Sequence, residues 1–207
     1  GFCFGWSQLI QDKIIHLFPH GIVGFHPAEL PNNRGRHPLI WALALGLSET
    51  ASTFFMINAG ADKGDIISQR KISISYEDNA RSLYDKVMDA AVEQEIELVN
   101  ALKNDAITYI SQSCDEGNSW RKRGANDGKI DWRMSSKCIY NLVRSLTKPY
   151  VGAYFLYNNN EYKVWKVQEI GTYGFENFEP GKVLSVNEDG TIDIKTGENG
   201  VRLLEFD

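Results

Sequence analysis

Cysteine is scarce in this chain of 207 residues: Cys3, Cys114 and Cys138 are an odd number at wide spacing. That excludes a disulfide framework and a cysteine-based zinc site, and it fits a reducing compartment, the cytoplasm. Long hydrophobic runs are missing too, since no stretch approaches the roughly 20 apolar residues that cross a bilayer. Nor does charge of one sign dominate. With 22 Lys plus Arg against 27 Asp plus Glu, the net charge of −5 argues against a life on nucleic-acid phosphate or an anionic membrane. The sequence also lacks a P-loop, a complete dinucleotide fingerprint, zinc-ligand spacing and a nucleophile elbow, so no metal is expected.

What is present is a globular composition, 43% hydrophobic and 24% charged, which excludes a disordered, collagenous or coiled-coil chain. The length suits one full domain with a small second one. Gly1 to Trp6 reads as the tail of a buried strand, and an opening in mid-element leads us to expect that residues normally preceding it are absent from the sequence given. Apolar spacing predicts an amphipathic helix over 7–18, with Ser7 as its cap and Pro19 beyond its end. Strands are predicted at 21–25, 53–57 and 66–75, and helices at 39–47, 78–113 and from Ser135 or Ser136 to Lys148. Beyond Pro149 the texture changes to five short strands, at 153–157, 162–170, 181–186, 191–195 and 201–206, divided by Asn- and Gly-rich turns. The boundary is expected near residue 149: domain 1–149, then domain 150–207.

Four features could carry chemistry. His26 precedes Pro27, which bars helical geometry at the histidine, so its imidazole stands at a strand end, where open α/β folds place ligands and where a general base near neutrality is useful. The plainer alternative is a histidine that only bonds the following loop. In the turn Gly60-Ala61-Asp62-Lys63-Gly64-Asp65, one of Asp62 and Asp65 could orient an imidazole and the other cap the turn, or both could merely shape the turn. Arg34-Gly35-Arg36 with His37 is a basic loop suited to a phosphorylated ligand. Trp120 beside Arg121-Lys122-Arg123 could bind a nucleotide by stacking and charge, or form a solvated face.

Taken in order, His26-Pro27-Ala28-Glu29-Leu30-Pro31, Arg34-Gly35-Arg36-His37-Pro38, Trp41-Ala42, Glu49-Thr50 and Gly60 to Ile67 form a linked pattern. Together with Ile130-Asp131-Trp132, Val143-Arg144 and Lys148 to Tyr154, this pattern strongly resembles the folate-dependent formyltransferases over essentially the whole chain. The resemblance implies an α/β fold: part of a Rossmann-like core, N-terminally incomplete, with a small C-terminal all-β, barrel-like domain. It implies His26 and Asp62 as catalytic residues. Trp6, Leu9, Ile10, Gly60 and Ala61 would line the pocket for 10-formyltetrahydrofolate, and Arg34, Gly35, Arg36 and Trp132 would meet the acceptor. One departure stands out: the family usually carries Asn two residues before the histidine, where its amide stabilises the oxyanion, and here that position is Gly24. Loss of one such donor costs on the order of 3 kcal/mol in comparable sites.

Within the family, Leu39-Ile40-Trp41 and Asp131-Trp132 look more like the sugar branch, which includes enzymes of pseudaminic acid and other surface-glycan pathways. The expectation is therefore N-formylation of a nucleotide-linked amino sugar, with no nucleic-acid or membrane partner and with room for a homodimer. The alternatives are a methionyl-tRNA formyltransferase and a non-catalytic binder of folate or nucleotide sugar. Against transfer RNA stands the segment 150–207, where acidic side chains outnumber the basic ones.

Overall fold

The computed structural model describes residues 1–6, 8–113 and 115–207. Ser7, the expected helix cap, and Cys114 lie outside the described residues. The chain divides into two compact units, the first made of 1–39, 48–75 and 83–122, the second of 40–47, 76–82 and 123–207.

In the first unit, strands β1 (Phe2–Cys3), β2 (Val23–His26), β4 (Glu49–Met56) and β5 (Ile66–Ser73) form one sheet in the order β1-β2-β4-β5. β1 runs parallel to β2, and the other pairings are antiparallel. β4 is the centre of this unit because alternate residues point to opposite faces. Phe54 joins Val23 with Ala91 and Leu98 of helix α3 (Ala80–Lys103), whereas Phe55 joins Leu30 and Ile66.

Two expected helices come out shorter. The one predicted over 7–18 is only α1 (Asp12–Ile15), which buries no residue and has no side-chain cap. Isolated turns are costly to nucleate without tertiary packing, and here Leu9 and Ile10 line a cleft instead of extending the helix. The helix predicted to reach residue 113 stops at Lys103 in a Schellman-type end: the Ala106 N–H bonds the Ala101 carbonyl, the Asp105 N–H bonds that of Leu102, and Asp105 takes φ +50°. Ile110 then exchanges backbone hydrogen bonds with Ile66 at the sheet edge.

In the second unit, β7 (Ala153–Tyr157), β8 (Asn160–Ile170), β9 (Val183–Val186), β10 (Ile192–Lys195) and β11 (Gly200–Phe206) form an antiparallel sheet ordered β7-β8-β11-β10-β9. The expected barrel is not closed: among the described residues β7 and β9 are the two edges. Helix α4 (Ser136–Leu146) begins where Ser135 Oγ accepts the Cys138 N–H. Its Ile139, Leu142, Val143 and Leu146 share a core with Val164, Val167, Val201 and Leu203 of the sheet. The boundary expected at residue 149 thus falls inside this unit, because α4 buries its apolar face on β8 and β11.

Candidate active site

His26 ends β2 and is 5% exposed. Its Nε2 lies 2.8 Å from the Asn33 carbonyl oxygen. A carbonyl only accepts, so Nε2 carries the hydrogen, and Nδ1 is left to face Asp62 Oδ2 at 3.7 Å. In the neutral ring Nδ1 is a lone pair. The group that lone pair faces is the Asp62 carboxylate.

The turn that carries Asp62 is built for one conformation. Asp62 itself sits at φ +55°, and a side chain on Gly64 would meet the Met56 carbonyl oxygen at 1.6 Å. Asn58 Oδ1 accepts the Gly60 N–H, and the Asp65 carboxylate accepts from Ser111 Oγ. The carboxylate of Asp62 accepts the Gly35 N–H at 2.9 Å. Gly35 lies at φ +99°, packed so closely on the Trp120 carbonyl that a Cβ would approach it to 2.3 Å.

Gly35 belongs to β3 (Arg34–Gly35), which pairs in parallel with β6 (Ser119–Trp120), so the two basic segments of the sequence stand side by side. Arg34 does not reach the cleft. It is buried, and its guanidinium donates to Gln112 Oε1 and to the carbonyls of Ser113 and Glu116. The same Gln112 donates through Nε2 to the carbonyls of Asp62 and Gly64. Gln112 therefore ties the basic loop to the Asp62 turn. Thr53 and Gln69 do the same for the segment after His26, bonding the carbonyls of Ala28 and Leu30. Nothing in a lone Gln or Thr marks such positions in a sequence.

The cleft of about 370 Å³ is lined by Trp6, Leu9, Ile10, Gly35, Arg36, Gly60, Ala61 and Asp62, together with Phe25, Trp120, Arg121 and Lys122. Most of the residues singled out from sequence thus come together here, with His26 buried beside Asp62. Trp132 belongs to the second unit, its ring 5.4 Å from that of Phe155. Gly24 also lines the cleft, and an added Cβ would meet Phe55 and Ile57 at 2.9 Å. Space, and not a left-handed backbone, keeps a side chain out.

Two family profiles take in most of the chain: formyl transferase matches residues 2–99, and formyl transferase, C-terminal domain, matches residues 123–207. The chain belongs to the formyl transferase family. Its sequence is 32% identical over 201 residues to the methionyl-tRNA formyltransferase of Caldanaerobacter subterraneus subsp. tengcongensis, covering 97% of this chain and 63% of that protein. The chain thus spans less than two thirds of that relative's length. Among solved formyl transferase structures, a 4-N formyltransferase from Francisella tularensis is similar at 25% identity and a TM-score of 0.69, covering 78% of this chain and 67% of the other. HypX from Aquifex aeolicus, solved with tetrahydrofolic acid, shares the fold with a TM-score of 0.76 at 18% identity, over 99% of this chain and 35% of HypX.

Proposed function

We propose that this chain carries the catalytic centre of an N-formyltransferase that moves the formyl group of 10-formyltetrahydrofolate to the amine of a nucleotide-linked amino sugar. The observation that carries the reading is the juxtaposition of Asp62, which lines the cleft, with buried His26, its proton-accepting Nδ1 turned to the carboxylate. Amine attack on the formyl carbon gives a tetrahedral adduct whose nitrogen must shed a proton, and a buried imidazole backed by a carboxylate accepts it. The donor fits the lining. Trp6, Leu9, Ile10 and Phe25 offer an apolar wall to a ring system, and Asp62, Asn58 and Arg36 offer polar groups beside it. Gly24 supplies no side-chain donor for the oxyanion, so backbone N–H groups of the turn or water take that part.

Transfer RNA is the second reading, favoured by the 32% identity to a methionyl-tRNA formyltransferase. Against it stand the net charge of −5 and the acidic C-terminal segment. The test is release of tetrahydrofolate from 10-formyltetrahydrofolate by the full chain, with a panel of nucleotide-linked amino sugars and, separately, formylatable methionyl-tRNA. Release with an amino sugar and none with the tRNA is expected. The reverse pattern, or salt-tolerant gel-shift binding of tRNA, would move the acceptor to RNA; folate binding without any transfer would leave only a binding protein.

A further inference from the structure

The Gln112 amide uses all four of its hydrogen-bonding positions. Oε1 accepts from Arg34 Nε at 3.2 Å and Nη2 at 2.8 Å, and Nε2 donates to the carbonyls of Asp62 at 3.0 Å and Gly64 at 2.7 Å. A guanidinium only donates and a carbonyl only accepts, so these partners allow the amide one orientation. Asp62, at φ +55°, stands in a left-handed conformation that its side chain tolerates without dictating, so the turn needs a hold from outside. That hold extends to the carboxylate, because Arg34 is anchored on Gln112 and the next residue, Gly35, donates its N–H to Asp62 Oδ2 at 2.9 Å. Gln112 thus reaches Asp62 twice, at the carbonyl directly and at the carboxylate through Arg34 and Gly35, although it is not itself among the residues lining the cleft.

We infer that Gln112 is a positioning residue for formyl transfer: it places the Asp62 carboxylate against His26 Nδ1 and acts on the reaction through Asp62, without touching either substrate. This role rests on the reading of His26 and Asp62 as the catalytic pair. At 3.7 Å the two groups stand just beyond hydrogen-bond length, so a small displacement of the turn decides whether the carboxylate serves the ring. Nothing but an amide fills the position. A glutamate there would keep the bonds from Arg34 but turn its second oxygen toward the Asp62 and Gly64 carbonyls, where only a donor fits. Gln112→Glu therefore separates the two halves of the arrangement: Arg34 stays satisfied and the turn is released.

The experiment is a double-mutant cycle on the full chain: wild type, Gln112→Glu, Asp62→Asn and the double variant. Each is assayed, below its melting temperature, for release of tetrahydrofolate from 10-formyltetrahydrofolate with whichever acceptor, amino-sugar nucleotide or methionyl-tRNA, the wild type formylates fastest. Gln112→Glu should lower kcat by roughly tenfold to a hundredfold, the scale on which small misplacements act, with KM for the donor changed by about threefold or less. In the Asp62→Asn background the same substitution should lower kcat by about twofold or less, since the charge it positions is already gone. A purely structural role would instead cost the same factor in both backgrounds. Equal losses in the two backgrounds, or an unchanged kcat in Gln112→Glu, overturn the positioning role while the catalytic reading of His26 and Asp62 stands. Should Gln112→Glu fail to fold, Gln112→Met replaces it in the cycle with the same coupling expected, and failure of both to fold makes Gln112 a folding residue and overturns the role. A wild type that transfers formyl to no acceptor, or an Asp62→Asn variant that keeps the wild-type rate, removes the catalytic reading and the positioning role with it.

Discussion

His26 and Asp62 face each other edge to carboxylate, Nδ1 to Oδ2 at 3.7 Å, while Nε2 of the same ring is fixed on the Asn33 carbonyl. The ring is thereby held in one tautomer, and its second nitrogen is the one available for a proton. His26→Ala should lower formyl transfer by roughly a hundred- to ten-thousand-fold, the range for loss of a general base. Asp62→Asn keeps an acceptor for the Gly35 N–H but removes the charge, so it should lower the rate while leaving the melting temperature near that of the wild type. Tetrahydrofolate release and thermal unfolding, measured on both variants, check this. A His26→Ala variant that keeps most of its rate would remove the histidine from the chemistry.

Gly24 pairs across the sheet with Phe55, whose ring occupies the space above it. Restoring the family's amide by Gly24→Asn should therefore overpack the site and cost about 1–3 kcal/mol of stability, without a gain in turnover. Higher turnover at an unchanged melting temperature would contradict this.

Arg34→Ala should behave as a folding variant and not as a substrate-binding one. Its guanidinium satisfies Gln112 Oε1 and two carbonyls in a buried setting, and removing it leaves those acceptors without a donor, a loss on the order of 3 kcal/mol. Arg34→Lys should recover little, because an ammonium cannot reproduce the fork. Urea unfolding of the two variants beside the wild type measures the difference.

Acid stability of the second unit should report on Asp193. Its carboxylate accepts from Arg202 Nε and Nη2 at 2.7 and 2.9 Å, and that hydrogen bonding holds its pKa below the usual carboxylate range. A lowered folded-state pKa stabilises the protein at pH values above the unfolded value, about 3.9, and the contribution is lost as pH falls through the folded value. Asp193→Asn should flatten that acid limb in pH-dependent unfolding curves. An identical limb in the variant would assign the acid sensitivity elsewhere.

Where local rules decide, the sequence was legible. Asn158 and Asn159 both take positive φ in a two-residue hairpin that sets β7 against β8, as an Asn pair between alternating strands suggests. Ser135 caps α4 as expected. Long-range geometry was not legible. The end of α3 depended on Asp105 adopting a left-handed conformation, which its side chain tolerates but does not dictate. Arg34 and Arg36 look equivalent in Arg-Gly-Arg, and a regular strand would put them on one face. Gly35 at φ +99° breaks that alternation, and only then does Arg34 turn inward while Arg36 lines the cleft. The hub role of Gln112 required knowing that residues 34, 62 and 112 meet.

The two-rung ladder of β3 and β6 also fixes when the site can exist. Asn33 and Asn118, bonded beside that ladder, are 85 positions apart, and nothing local draws them together. Closing so long a loop is only modestly harder than closing one half its length, about 0.6 kcal/mol per doubling, but it yields nothing until the intervening sheet and helix have formed. A chain emerging from the ribosome therefore presents His26 and Asp62 well before Trp120, Arg121 and Lys122 arrive to complete the mouth of the cleft. The order runs in reverse on opening: with so few rungs, the ladder is the part that parts first, and the amide hydrogens of Arg34 and Arg36 should exchange with solvent ahead of those in β4. His26 ends a strand of the sheet, whereas the two-rung ladder beside it is assembled last and released earliest.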